Sequence, residues 1–216
     1  MKRREFSLTV AAVLVPTMLG AAGAQAQQAK PREGKDYLVL GKQAPTDAPA
    51  GKIEVVEFFW YSCPHCNAFE PTLEAWVKSL PKDVSFKRVP VAFRDDFSPQ
   101  QRLYYTLEAM NKVDELHAKV FRAVHGERQA LTTDEAIIAW AEKQGLDKAK
   151  FTETFRSFSV ASKLRRAVQL QDAYKVEGVP ALGIAGRYYT DGSLAGSMER
   201  ALLVTDYLLA EVRKAR

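Results

Sequence analysis

The two cysteines of this 216-residue chain, Cys63 and Cys66, stand together in one Cys-Pro-His-Cys run. Proline is favoured at the first position of a helix, because the N–H it lacks would have had no partner there. The spacing therefore predicts Cys63 at a helix N-cap and Cys66 at the third helical position. There Cys63 faces unpaired backbone N–H groups and the positive end of the helix dipole. Both favour a thiolate over a thiol, and a protonated His65 would add a second cation. On one helical turn the pair can also close a disulfide with little chain movement. The chemistry these residues suit is thiol–disulfide exchange.

Two plainer uses fit less well. A structural zinc needs about four ligands. The chain has no second Cys-x-x-Cys, and His117 and His125 are not spaced to help, so no metal is expected. A purely structural disulfide closing so short a loop would add little stability. His117 and His125 read as ordinary members of a helical block.

The element that must carry the pair is a strand running into a helix. Residues 53–61, IEVVEFFWY, are mostly apolar, as in a strand covered on both faces. Within it Glu57 shares a face with Val55 and Phe59, a carboxylate on an otherwise apolar face. A helix is expected from Pro64 to about Leu80, kinked at Pro71. Flanking strands are expected at 36–40 and 84–91, with Pro90 marking an edge or a terminus. From 98 the spacing turns helical. Ser98 to Gln101 and Thr132 to Glu135 read as capping boxes, and Asp147 as a further cap. A last helix of this block spans 160–176, with Gly178 ending it. A hairpin follows, with strands 182–184 and 187–189. The sequence assigns no type to its turn, Ala185-Gly186, because alanine is unusual where φ must be positive. Residues 191–196 read as a loop, and Ser197 opens a terminal helix.

The N-terminus has the grammar of an export signal: a basic start at Lys2, Arg3 and Arg4, an apolar stretch over 8–19, and Ala24-Gln25-Ala26 as cleavage site. Arg3-Arg4 also loosely fits a twin-arginine signal. Loss of residues 1–26 removes three basic residues and one acidic residue, taking the formal net charge from +5 to +3. That mild excess contains no basic run, so nucleic acid is not an expected partner. Export implies an oxidising compartment, where a lone Cys-x-x-Cys is not part of a structural disulfide framework.

The Cys-Pro-His-Cys after Phe58-Phe59-Trp60, an acid six residues before the first cysteine, a helical block and a Gly-Val-Pro before a hairpin together resemble the DsbA family of the thioredoxin superfamily. The resemblance covers residues 35–213. It implies an α/β, thioredoxin-like fold with an inserted all-helical domain. Its divisions here would be a signal peptide at 1–26, the thioredoxin-like domain at 27–94 and 168–216, and the helical insertion at 95–167. By position, Cys63 becomes the exposed nucleophile and Cys66 its buried partner. Pro64 and His65 lie between them, Pro180 would be a cis-proline beside the disulfide, and Val179 would pair with an extended substrate. Glu57 matches the family's buried acid and Arg88 its basic partner, where lysine is more familiar. Pro90 stands where histidine is known in relatives, so tuning by that histidine is absent. A depressed cysteine pKa and an oxidising disulfide are known properties of this family, and the resemblance implies both here.

The implied activity is a periplasmic thiol:disulfide oxidoreductase that donates the Cys63–Cys66 disulfide to newly exported, extended polypeptides with free thiols. A membrane re-oxidant resembling DsbB would restore it. No bound cofactor is implied, and the chain reads as a monomer, with no dimerisation segment before Tyr37. A reductase or isomerase on the same fold, or a peptide-binding chaperone with an incidental disulfide, are the alternatives. Because ionisation exists only in the reduced form, each pH unit by which the Cys63 pKa falls below ambient pH favours that form by roughly 1.4 kcal/mol, or about 30 mV.

Overall fold

Seven residues, Ile53–Phe59, form strand β2, and every one is buried, the charged Glu54 and Glu57 included. In a computed structural model that describes residues 30–216, β2 lies between a parallel and an antiparallel neighbour. The expected leader, residues 1–26, lies outside the described residues. A parallel partner demands a crossover. Helix α1, Pro64–Lys78, supplies it and delivers the chain to β3, Val84–Pro90. Strand β3 is one edge of the sheet, which suits Pro90 at its end. The remaining strands are β1, Leu38–Val39, β4, Ala181–Ile184, and β5, Tyr188–Asp191, and the sheet order is β1-β5-β4-β2-β3.

The chain between β3 and β4 holds helices α2, Ser98–Ala109, α3, Val113–Phe121, α4, Asp134–Lys143, α5, Lys148–Phe155, and α6, Phe158–Tyr174. The expected boundary at 167/168 falls inside α6. Short α7, Gly192–Ala195, and long α8, Met198–Lys214, close the chain. Alternation along β2 serves two cores. Ile53 and Val55 pack with Phe69 and Leu73 of α1 and with Leu202 and Leu208 of α8. Val56 and Phe58 pack with the inserted helices, through Leu103, Leu107, Phe155 and Leu170. Each such side chain stabilises the fold by about 1.5–3 kcal/mol relative to exposure. The architecture is the expected α/β sheet with an all-helical insertion.

Several local expectations change. Strand β1 is shorter than 36–40, because the Asp36 carboxylate accepts the Arg32 N–H at 2.8 Å and Arg200 at 2.9 Å instead of leading into a ladder. Ser98 is no cap: a 3₁₀ turn, Asp95–Phe97, runs straight into α2, and Gln101 reaches across to the Pro90 carbonyl at 2.7 Å. The second cap is Thr133, one residue later than expected, its hydroxyl accepting the Ala136 N–H. Asn111, at φ 55°, separates α2 from α3, a conformation asparagine tolerates. Lys175, at φ 54°, and not Gly178, ends α6. Ala185 and Gly186 both take positive φ, and the turn closes through the Arg187 N–H to the Ile184 carbonyl. The expected loop at 191–196 contains α7, capped by Asp191.

Candidate active site

Strand β2 stops at Phe59, and Trp60 to Cys63 form a turn closed by the Cys63 N–H on the Trp60 carbonyl at 3.0 Å. That turn sets Cys63 at the N-cap of α1, with Pro64 first in the helix and Cys66 third, as the spacing predicts. The Cys66 N–H donates to Cys63 Sγ at 3.4 Å. The pair is in the dithiol form. Cys66 is fully buried, and Cys63, expected to be exposed, keeps only 7% of its surface. Its thiol lies under the loop before β4, where it donates to the Val179 carbonyl at 3.4 Å. The Val179–Pro180 bond is cis, Val179 is half-buried and Pro180 buried. His65 and Pro64 face solvent. A cleft of about 460 Å³ opens beside them, lined by His65, Val179, Pro180, Gly192 and Met198.

The two sulfurs are electrostatically unlike. The Cys63 pKa is lowered to about 6 by a hydrogen bond from the Cys66 thiol, against burial, with further help from the Cys66 and His65 N–H groups and the His65 charge. Burial pushes Cys66 far up, and the neighbouring Cys63 and Glu57 push the same way. The partner thiol's hydrogen bond, helped by the N–H groups of the helix N-terminus, sets the direction at the first sulfur, and desolvation sets it at the second.

Glu57 has no exposed surface and lies directly across from Arg88 in the β2–β3 ladder. The Arg88 Nε is 3.1 Å from Glu57 Oε2, an ion pair by distance without hydrogen-bond alignment. Arg88 spends its Nη2 on two further acids, Glu70 Oε1 at 2.7 Å and Glu74. Burial raises the Glu57 pKa to about 8, and Arg88 only partly offsets it. Burial also pushes Glu70 up, but His117 and Arg88 outweigh it and hold that carboxyl below its ordinary range. Near neutral pH Glu57 therefore holds its proton while Glu70 does not.

Glu70, Glu74, His117 and Tyr61 escaped the sequence reading. Glu70 stands one helical turn past Cys66, a spacing that places both on one face of α1. His117, read as unremarkable, is 95% buried among aromatic rings. Its Nδ1 is 2.8 Å from the Tyr61 hydroxyl and its Nε2 3.3 Å from Glu70. Its apolar flank, Leu116, Val120 and Phe121, was the available signal. His125 is likewise engaged, 2.8 Å from the Tyr61 carbonyl. Pro90 offers only its carbonyl, to Gln101.

Comparison with known proteins agrees with this geometry. Residues 82–203 match the family described as DSBA-like thioredoxin domain, a span that begins after the cysteine pair. Full-length relatives cover the pair as well. The chain is 47% identical over 208 residues to the thiol:disulfide interchange protein DsbA of Bordetella parapertussis, covering 96% of each chain. It is 39% identical over 209 residues to the protein of that name from Pseudomonas aeruginosa, covering 97% of this chain and 98% of the relative. The crystal structure of Pseudomonas aeruginosa DsbA superposes with a TM-score of 0.80 at 41% identity, covering 84% of this chain and 94% of that one. That of the oxidoreductase DsbA from Xylella fastidiosa does so at 0.80 and 29% identity, covering 86% and 99%.

Proposed function

The chain belongs to the DsbA family of thiol:disulfide interchange proteins, and from that premise we propose how its own residues divide the work. The protein is a thiol:disulfide oxidoreductase that acts as a disulfide oxidant. Cys63 is the attacked sulfur. A substrate thiolate forms a bond to Cys63 Sγ, the Cys63–Cys66 bond breaks, and Cys66 leaves as a thiolate. A buried thiolate of such basicity takes a proton at once, and the donor in this reading is Glu57, still protonated near neutral pH and close enough to influence Cys66 electrostatically. A second substrate thiol, deprotonated, then attacks the substrate sulfur of the mixed disulfide. The substrate leaves oxidised, and Cys63 departs as the stable thiolate. Val179 and Pro180 border the cleft and hold an extended chain against Cys63, while His65 stabilises the thiolate.

The wider setting is proposed on the same basis. The substrates are exported, unfolded polypeptides with free thiols, in the periplasm. A membrane re-oxidant resembling DsbB takes two electrons and two protons from the reduced pair. The proposed division remains 95–167 for the helical insertion and 27–94 with 168–216 for the thioredoxin-like part, with α6 running across the second boundary.

The observation that carries the reading is the asymmetry of the sulfurs: one ionises easily and the other resists. Ionisation at Cys63 is available only to the reduced protein. A depressed pKa stabilises the reduced fold in full above the ordinary value of 9.0 and loses that contribution as pH falls through about 6. Paired thermal melts test this. The reduced form is expected to melt higher at pH 7, with the gap closing towards pH 5. A sturdier oxidised form at pH 7 would reverse the assignment to a reductase. Cys63→Ser should abolish disulfide donation to a reduced, unfolded substrate, and if it still protects that substrate from aggregation, a chaperone role gains ground.

A further inference from the structure

Tyr61 stands second in the turn that carries β2 into the Cys63 N-cap, and it is held at both ends by histidines of the inserted helices. Its carbonyl is 2.8 Å from His125 Nε2. A carbonyl only accepts, so that nitrogen carries the proton. Its hydroxyl is 2.8 Å from His117 Nδ1. His117 Nε2 lies 3.3 Å from the Glu70 carboxylate, close but without hydrogen-bond alignment, and a proton there is the one the acid favours, which leaves Nδ1 to accept from the tyrosine hydroxyl. Phe121 fills the gap, its ring centroid 5.1 Å from that of Tyr61 and 5.2 Å from that of His117.

The helix is shaped for this grip. Eight residues of regular α-helix would leave His125 about 80° around the axis from His117. After Phe121 the chain instead widens into a π-turn, Arg122–Gly126, with the Glu127 N–H on the Arg122 carbonyl at 2.9 Å. The wider turn rotates less per residue and brings His125 back towards the face that carries His117.

We propose that His117 and His125 are positioning residues for Cys63, clamping Tyr61 so that the Trp60–Cys63 turn stays in the one conformation that presents Sγ to the helix N–H groups. The carbonyl His125 holds belongs to the central peptide of that turn. Flipping this peptide is what interconverts the two commonest turn types, and it would swing Ser62 and the N-cap. The inserted helices thereby set a property of the redox pair through the turn that carries it. The inference rests on the assignment of Cys63 as the reacting sulfur.

The test replaces His125 with leucine, which keeps bulk and removes the donor, and with glutamine, whose amide can still donate. Two readouts are used on the reduced protein: the midpoint of thiolate absorbance against pH, and the equilibrium with a glutathione buffer. His125→Leu should raise the thiolate midpoint by about one pH unit and shift the glutathione equilibrium about tenfold towards disulfide. His125→Gln should recover most of both. Tyr61→Phe, which frees only the hydroxyl end, should move them in the same direction by about threefold. If His125→Leu unfolds, the glutamine and phenylalanine variants decide alone. A His125→Leu protein with parental midpoint and equilibrium, or a glutamine variant no better than leucine, overturns the clamp. An unchanged Tyr61→Phe overturns the His117 arm. Loss of donation in Cys63→Ser is independent of all three, so a failed clamp leaves the assigned chemistry intact.

Discussion

Strands β2 and β3 carry two ion-pair clusters, one on each face of the sheet, and they differ in charge balance. Lys87 meets Glu54 at 3.0 Å and Asp47 at 2.9 Å, and Arg166 meets Asp47 at 2.8 Å: two cations for two carboxylates. Asp47 also donates its N–H to Glu54, so this cluster ties the loop before β2 to the sheet. One residue along β3 and on the other face, Arg88 alone serves Glu57, Glu70 and Glu74. His117 adds no balancing charge at neutral pH, because burial keeps its pKa down. The second cluster is therefore short of positive charge and also more deeply buried. A buried carboxylate without a full partner neutralises itself by keeping a proton, and Glu57 does so. A balanced cluster holds structure, whereas the unbalanced one retains a proton at Glu57, which is the proton the proposed mechanism passes to Cys66.

The largest test removes the overworked cation. Arg88→Met leaves three acids around an uncompensated interior, and urea unfolding at pH 7 should show a loss of about 3–5 kcal/mol. Lys87→Met leaves the buried Glu54 with the Asp47 N–H still donating to it, so a smaller loss of roughly 1–3 kcal/mol is expected. The glutathione equilibrium should move in the first variant and stay put in the second.

Glu57→Gln sharpens the comparison through pH. The folded pKa of Glu57, about 8, lies above the ordinary 4.5, so the folded chain keeps a proton the unfolded chain releases. The stability this gives is full below 4.5 and is lost as pH rises through about 8. Relative to Glu57→Gln, the parent should lose up to ~1.4 kcal/mol per pH unit across that window and level off above it. Unfolding curves of the two proteins between pH 4.5 and 9 that run parallel would show that Glu57 is ionised throughout. The smallest effect belongs to the exposed end of the balanced cluster. Arg166→Met should cost less than about 1 kcal/mol and become neutral in high salt.

The reaction centre was far more legible than its surroundings. Cys63, Pro64 and Cys66 are neighbours in sequence, and their places at the start of α1 follow from the spacing of one helical turn. Strand β2 was plain because a short, mostly apolar run rich in β-branched and aromatic residues has few other fates. Arg88 as the partner of Glu57 came from the family resemblance alone, and the parallel register sets the two opposite each other. Caps were read less well. Ser98 and Thr132 have the right chemistry, yet a 3₁₀ turn and a neighbouring threonine took their places. Local propensity could not weigh those competitors, because they differ by one residue and by contacts from elsewhere.

His117, His125 and Tyr61 mark the limit most clearly. Nothing in their own segments separates them from residues that fill a core. Their partners lie 56 and 64 positions away along the chain. What the chain order alone determined was the dithiol, the helix that activates it and the buried acid beneath, because local geometry dictates all three. Only the tertiary structure decided which distant groups share Arg88 and which histidines grip the turn, because those depend on how the inserted helices settle against the sheet.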